Sequence, residues 1–487
     1  MESLLLALGG CALGIAAGWK ALDWLKALGA ERLQMWHPIE LDLRAVAAML
    51  ALSLATAVLF GLAPALRASG VDIRAVLVEG GRGVAGARRR GSRDALVAGE
   101  IALSLVLLVS AGLLLRTLQF LNGLNPGFDT RGVLSAEVSL QDARYRTAAA
   151  VNLLYTRSLS RIRAIPGVRS AAAALTLPYE RPLNDGFRTL DGDDTKGHGV
   201  EVVYCTPDYF ETLRIPLRRG RSFHDIDGPD SPPVAIASES FARKYFSRSG
   251  GLGGHFRMEG GTREIVGIVG DVQQHSGLGD FGPLSVEPTL YIPAAQTSDG
   301  FLQVIHVWFS PKWVIRTSGN AAAVEAQVQA AVAAIDPLLP VASFRTVDDL
   351  RGRITLEQRY RATLFSIIAA LALLLAALSV AGLISQSVTR RTHELGVRMA
   401  LGATVRQAIV AMMRPGLILA GIGVGAGCVL SRLAARYLEH LLWGVRPADP
   451  ATFAATALLL LAAALIASLV PALRILHIDP AQTLREE

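Results

Sequence analysis

Cysteine is scarce in this chain, with three in 487 residues: Cys11, Cys205 and Cys428. Cys11 and Cys428 fall inside long apolar runs, which leaves Cys205 alone in the polar middle of the chain and excludes a disulfide there. That middle segment must be stabilised by its own core, and roughly 230 residues are enough to build one. Catalytic signatures are lacking as well. No GxxxxGK followed by Ser or Thr is present, and none of Lys20, Lys26, Lys196, Lys244 or Lys312 follows a glycine-rich loop, so nothing cradles nucleotide phosphates in the usual way. His393-Glu394 starts like a zinc-binding HExxH, but Val397 stands where the second ligand would be, and no other pair of histidines has ligand spacing. No GxSxG elbow occurs, and Ser238-Glu239-Ser240 has no recognisable partner base. The expectation is therefore no catalytic residue, no metal and no cofactor.

Apolar residues are what the chain has in quantity: 51% of it, in clumps. A hydrocarbon layer of roughly 30 Å needs about 20 apolar residues in helix. Six runs approach that length, at 4–28, 46–66, 95–115, 362–385, 408–430 and 452–473. The first lacks the basic n-region and the small-residue cleavage site of a secretory signal, so it reads as a span.

The net charge of +7 is localised. Arg67, Arg74, Arg82, Arg88, Arg89, Arg90 and Arg93 fill the connection between the second and third runs, and Arg390, Arg391, Arg398 and Arg406 that between the fourth and fifth. The positive-inside rule makes both connections cytoplasmic. The charge then reports topology and not a nucleic-acid partner: both termini are cytoplasmic and 119–360 is extracytoplasmic.

The chain also repeats itself. Residues 42–80 align without gaps on 449–487, with Pro64-Ala65-Leu66-Arg67 matching Pro471-Ala472-Leu473-Arg474. Residues 1–67 thus read as the last two spans of an incomplete first unit and 68–94 as a flexible Arg-rich linker. The second unit follows: a first span at 95–118, an external domain at 119–360, and at 361–487 three more spans and a tail. The chain is therefore expected to be the C-terminal portion of a longer duplicated protein. The fold class expected is an α-helical multi-pass membrane protein of about six spans with one large extracytoplasmic α/β domain. Within that domain, 132–140, 201–205, 234–237, 264–271 and 302–309 read as strands, and 148–165 and 320–335 as helices.

Two places stand out. Glu100 lies well inside an apolar run, where a carboxylate is either functional or paired close to the interface. The segment 390–404, RRTHELGVRMALGAT, follows a span directly and puts Leu395 and Met399 one helical turn apart, with Arg391, Glu394 and Arg398 free to face water or a partner. Such a helix is either an interfacial anchor or a docking helix for a soluble motor. Gly396 and Gly402 read as points of close approach or termination, Gly402 as a cap after Leu401. The small residues Gly416, Gly421, Gly423, Gly425 and Gly427 in the fifth run, and Gly9, Gly10, Gly14 and Gly18 in the first, read as helix-packing positions.

The segment RRTHELGVRMALGAT resembles the cytoplasmic signature of FtsX-like permeases of the MacB type, with His393 where Arg is commoner. YFETLRIPLRRGRSF, PPVAIASESFARKYF and REIVGIVGDV resemble parts of the MacB-like periplasmic core domain. PALRASGVDIRAVLVEG and PALRILHIDPAQTLREE resemble the tails of the two halves of duplicated permeases of this family. The resemblance implies a bacterial cytoplasmic membrane protein without catalysis of its own. Its partners would be a separate cytoplasmic ABC ATPase and the lipid bilayer, with a second permease half or copy and a periplasmic partner as further candidates. It implies coupling of ATP hydrolysis to movement of the external domain, for export or mechanotransmission; the alternative is a non-transport scaffold that regulates a cell-envelope enzyme. The coupling residues would be Arg391, His393, Glu394, Leu395, Gly396, Arg398, Met399, Leu401 and Gly402. The topology predicts that a single cysteine introduced near Gly192 is labelled by a membrane-impermeant thiol reagent in intact spheroplasts. Protection there would reject the assignment of 119–360 to the outside.

Overall fold

The computed structural model describes residues 2–27, 43–44, 46–51, 53–54, 58, 84–193, 196–258, 260–275, 283–319, 321–390, 401 and 404–473. In chain order its main elements are α1 (Glu2–Ala27), α2 (Val84–Gly123), β1 (Val133–Val138), α3 (Ala148–Arg163), β2 (Val168–Ala174), β3 (Leu183–Thr189), β4 (Gly197–Cys205) and α4 (Tyr209–Leu213). Next come β5 (Leu217–Gly220), β6 (Val234–Ser238), α5 (Glu239–Tyr245), β7 (His255–Met258), β8 (Gly261–Val269), β9 (Thr289–Pro293), α6 (Asp299–Trp308) and β10 (Lys312–Thr317). The chain continues with α7 (Glu325–Ala333), β11 (Val341–Thr346), α8 (Val347–Ile354), α9 (Leu356–Arg390), α10 (Val405–Tyr437) and α11 (Pro450–Ala472). These divide into two units, Met1–Thr117 with Glu357–Glu487, and Leu118–Leu356.

In the first unit, four helices among the described residues are long and apolar enough to cross a membrane: Asp94–Gly123, Leu356–Thr389, Val405–Tyr437 and Pro450–Ala472. The shortest, of 23 residues, extends about 35 Å at 1.5 Å per residue. The first expected span is helical as α1. Most of the second, 46–66, lies outside the described residues, as do the repeated tails at 68–80 and 474–487. The linker expected at 68–94 requires correction, because the chain is helical from Val84 onward. Arginine is a good helix former, and a helix that has already nucleated in the adjoining span extends at little cost.

Helix α2 is the enclosed member of this unit, with 61% of its apolar window buried against 22–28% for the other three. Small residues permit that enclosure. A Cβ on Gly423 would lie 2.6 Å from Ile101 Cγ2 and 2.9 Å from the Ala98 carbonyl, and one on Gly427 would lie 2.9 Å from Leu105 Cβ. Gly416 is pressed in the same way by Ile384 of α9, 2.9 Å from such a Cβ, and Gly112 of α2 by Thr452 of α11 at 2.7 Å. By contrast Gly421 and Gly425, and Gly9, Gly10, Gly14 and Gly18 of α1, face open space. The packing reading therefore holds for three glycines of α10 and not for the other two.

The second unit contains a small sheet and a ring. Strands β11-β1-β10-β2 form an antiparallel sheet in that order. Its two halves, β1-α3-β2 and β10-α7-β11, interleave as in the split βαβ, ferredoxin-like arrangement. Everything between β2 and β10 is a second structure. There β4-β3-β7-β8-β6-β9 pair in sequence and β9 returns to pair with β4 in parallel, which closes a six-stranded ring. Closure leaves these strands no open edge within the ring. A single pairing, Ala174 with Cys205, joins the ring to the small sheet. The ring is filled by Phe187, Phe241, Tyr245 and Phe256, with centroids 4.9 to 6.3 Å apart.

Four of the five expected strands lie on β1, β4, β6 and β8, but the fifth, at 302–309, is the helix α6. Ser298 caps it by accepting from Phe301 N, and Leu302, Ile305 and His306 are buried at helical spacing. A short apolar run rich in β-branched and aromatic residues is ambiguous between helix and strand, and the cap together with the i, i+3, i+4 burial decides it.

The glycine contacts predict that Gly423→Ala lowers stability by about 1–3 kcal/mol through overpacking, whereas Gly421→Ala has no destabilising effect. Thermal unfolding of the two purified variants in detergent checks this, and equal behaviour would reject close approach at Gly423.

Candidate functional site

Of the expected coupling residues, Arg391, His393, Glu394, Leu395, Gly396, Arg398, Met399 and Gly402 lie outside the described residues. Leu401 is described and is 83% exposed. Immediately after it, Thr404 opens α10 with a capping box: its side chain accepts from Gln407 N and the Gln407 side chain accepts from Thr404 N. Glu100 is half-buried in α2. Its backbone carbonyl accepts from Ser104 Oγ at 2.8 Å, and the same hydroxyl lies 3.0 Å from the Ala372 carbonyl of α9.

Other residues at the ends of the membrane helices carry clearer geometry. Asp449 caps α11, accepting from Thr452 N at 2.8 Å and from the Thr452 hydroxyl at 2.5 Å, and pairs with Arg116 of α2. Thr117 Oγ1 accepts from Trp443 N at 3.4 Å. One carboxylate thus fixes the start of one helix and the late turns of another.

Within the α/β unit, the corresponding feature is the strap 124–132 that leads from α2 to β1. Gln273 N donates to the Pro126 carbonyl and Asp129 N to the Leu213 carbonyl, both at 3.0 Å. Gly127 has φ +81, and a Cβ there would collide with the Asp271 carbonyl, so only glycine lets the strap lie this close. Arg316 of β10, which is buried, donates to three carbonyls: Nε to Thr212 at 2.6 Å, Nη1 to Arg131 at 2.9 Å and Nη2 to Asp129 at 2.8 Å. The Asp129 carboxylate accepts from Arg214 at 2.8 Å. Burial would raise its pKa, but hydrogen bonds from Arg131 and the charge of Arg316 hold it below the usual value. Arg351 of α8 donates to the carbonyls of Asn122 at 2.6 Å and Leu124 at 3.4 Å. One guanidinium therefore fixes the strap to the sheet, and another ties the unit's outgoing segment to its incoming one. Sequence reasoning missed both arginines, because arginines that bond distant carbonyls have no spacing signature. Asn125-Pro126-Gly127 carries a local turn signal that could have marked the strap, but it was not read from the sequence.

A buried polar chain crosses the core: Tyr155 Oη to Tyr204 Oη at 3.1 Å, and Tyr204 Oη to His306 Nε2 at 2.7 Å. Burial pushes His306 down to about 4.

The fold and these contacts define a multi-pass protein with one large α/β unit between its second and third described long helices. The MacB-like periplasmic core domain profile matches residues 95–336, and the FtsX-like permease C-terminal profile matches 366–480. Among relatives, the uncharacterized ABC transporter permease YknZ of Bacillus subtilis (strain 168) is 23% identical over 300 residues, 59% of this chain and 70% of the relative. The macrolide export ATP-binding/permease protein MacB 2 of Aeromonas hydrophila is 23% identical over 300 residues, 60% of this chain and 43% of the relative, so under half of that protein's length is matched. The periplasmic region of MacB from Actinobacillus actinomycetemcomitans aligns with a TM-score of 0.32 at 12% identity, over 47% of this chain and 94% of the other. The chain belongs to the FtsX-like, MacB-like ABC transporter permease family, and it is a membrane protein.

His306 yields a pH prediction. It is neutral in the fold, with its pKa lowered from 6.5 to about 4, so it contributes stability above pH 6.5 that is lost as pH falls toward 4. The loss amounts to about 3 kcal/mol, since each tenfold fall in proton affinity is worth about 1.36 kcal/mol. His306→Gln should flatten this acid limb when unfolding is followed from pH 7 to 4 by near-ultraviolet circular dichroism. An unchanged limb would place the acid sensitivity elsewhere.

Proposed function

We propose that this chain is the permease subunit of an ATP-binding-cassette exporter of the bacterial cytoplasmic membrane. In this reading the α/β unit lies outside the cytoplasm and both termini lie inside, and a separate ATPase docks on 390–404 and displaces the membrane helices. The α/β unit receives that displacement through its connections. The observation that carries the reading is the fastening of those connections: helix α2 is unbroken from Val84 to Gly123, the strap beyond it is bonded to the sheet by Arg316, and Arg351 ties the outgoing helix to the incoming one. A unit held this way moves with its connections instead of swinging on them. Export is favoured because MacB 2, which resembles this chain over 300 residues, is named for macrolide export.

Two variants separate docking from transmission. Glu394→Arg should reduce co-purification of the cognate ATPase and its stimulated hydrolysis. Arg316→Ala should leave ATPase binding intact but lower cargo efflux from vesicles by an order of magnitude or so, since it removes the donor shared by the strap carbonyls of Asp129 and Arg131 and the Thr212 carbonyl. Unchanged ATPase binding and stimulation in Glu394→Arg would reduce 390–404 to an interfacial anchor. Full efflux in a folded Arg316→Ala chain would overturn transmission through the strap.

A further inference from the structure

Where β4 and β9 run side by side, several buried side-chain oxygens stand without hydrogen-bond partners among the described residues. Glu201 and Thr289 are partners across the parallel β4–β9 pair. Their neighbours Val202 and Leu290 belong to the core, so strand alternation puts Glu201 and Thr289 together on the opposite face. Gln274 reaches the same place, donating from Nε2 to Thr289 Oγ1 at 2.9 Å. Gln274 and Ser285 exchange both backbone hydrogen bonds, at 2.9 and 3.0 Å, which sets their side chains on one face about 5 Å apart. Glu201 is 7% exposed and Gln274 4%. Glu201 Oε2, Gln274 Oε1 and Ser285 Oγ are all buried and all without a hydrogen-bond partner among the described residues.

Three buried oxygens without partners, one of them on a carboxylate that has no ion pair among the described residues, leave the position short of positive charge. The Glu287 carboxylate adds further negative charge close to Glu201. We propose that Glu201, Gln274 and Ser285 bind a calcium ion, with Glu287 contributing charge from beside it. The donors are carboxylate, amide and hydroxyl oxygens with neither nitrogen nor sulfur, which selects a hard cation over zinc or copper. Magnesium demands near-ideal octahedral geometry, whereas calcium accepts irregular sets of six to eight oxygens with water completing them. One ligating carboxylate and a second nearby place the affinity at the weak end of calcium sites, about 10⁻⁴ to 10⁻³ M.

The ion would join the two ends of the 274–285 connection to β4 and β9. Residue 273, adjacent to it, donates its N–H to the strap carbonyl of Pro126. Calcium at this place therefore stiffens the seat of the strap. The proposal rests on the geometry of the α/β unit alone and stands or falls independently of the export reading.

Equilibrium dialysis of the purified full-length chain in detergent against radioactive calcium tests it. One saturable site per chain is expected, with dissociation constant about 10⁻⁴ to 10⁻³ M and no displacement by equal concentrations of magnesium or sodium. Glu201→Gln keeps the shape and removes the charge, so it should weaken binding about tenfold or more, about 1.4 kcal/mol. Ser285→Ala should weaken it by a smaller factor and serves in its place if Glu201→Gln loses the native circular dichroism spectrum. Absence of saturable uptake by the wild type up to about 10 mM calcium would mean that a proton or water fills the position and would overturn the proposal. Unchanged affinity in both variants would place the calcium elsewhere, and equal displacement by magnesium would overturn the assignment of the ion.

Discussion

The membrane unit depends on how closely the backbones of α2 and α10 approach each other. Lipid tails are as apolar as leucine, so helices in a bilayer gain little by hiding leucines from it; short contacts and hydrogen bonds hold them together. Gly423 and Gly427 allow Ile101 and Leu105, and the carbonyls of Ala98 and Ala102, to sit against the surface of α10. With α2 seated, its other contacts follow. Gly112 receives Thr452, Ser104 reaches the Ala372 carbonyl, and Arg116 pairs with Asp449. The helix that continues toward the α/β unit is thus the one gripped by its three neighbours. The leucines that do not take part, such as Leu371, Leu374, Leu375 and Leu378 of α9, are exposed, as lipid-facing residues should be.

The α/β unit is held by different forces. Its core buries Trp313, Phe241 and Phe256 almost completely, and burial of such side chains from water contributes about 1.5–3 kcal/mol each. Trp313 illustrates the accompanying polar requirement, since its indole N–H donates to Ser158 Oγ at 2.8 Å. Closing β4-β3-β7-β8-β6-β9 into a ring satisfies the strand edges internally. The ring then meets the small sheet through one pairing only, Ala174 with Cys205. One hydrophobic core runs through both, from Trp313 and Ile315 of the sheet to Phe187 and Phe256 of the ring, and the strap with its carbonyl-bonded Arg316 adds a polar tie: it runs along the ring at Asp271 and Gln273 before it becomes β1.

Long apolar runs and the family motifs were legible because they are local: the runs at 362–385, 408–430 and 452–473 fall within α9, α10 and α11. Strands β1, β4, β6 and β8 were legible for the same reason. The interleaving of β1-α3-β2 with β10-α7-β11 was not, because β2 and β10 are neighbours in space but more than a hundred residues apart in sequence. Helix α6 was misread because Leu302 to Trp308 is built of residues that suit strands; the cap at Ser298 is a local signal that was passed over, and only the burial at i, i+3, i+4 is a tertiary fact. Among the glycines of α10 the sequence could identify small residues suited to packing but not which of them are pressed; Gly421 and Gly425 lie two residues, about 200°, from Gly423 and so on the other side of the helix. Arg316 and Arg351 gave no signal at all, since their partners are backbone carbonyls of any sequence.

Those arginines also explain why the α/β unit can be stiff at its joints without disulfides. A buried guanidinium solvated by carbonyls is hard to displace, because movement in any direction leaves both the charge and the oxygens unsatisfied. Arg316 does this for the strap. Arg263 does it where β6 meets the turn at 294–297, donating to the Val234 carbonyl and to both the side chain and the carbonyl of Gln296. Burial pushes Arg263 down to about 10, which still leaves it charged at neutral pH, so the charge persists and its geometry with it. Lys312, at the start of β10, has Glu180 at 2.8 Å, and both are largely buried. In each case a charge is fixed where one substructure hands over to the next. The core would tolerate small rearrangements of apolar packing at these places, but a desolvated cation with defined partners tolerates few. Of these fixed points Arg316 lies where the chain enters the α/β unit, and Arg263 and Lys312 lie within it.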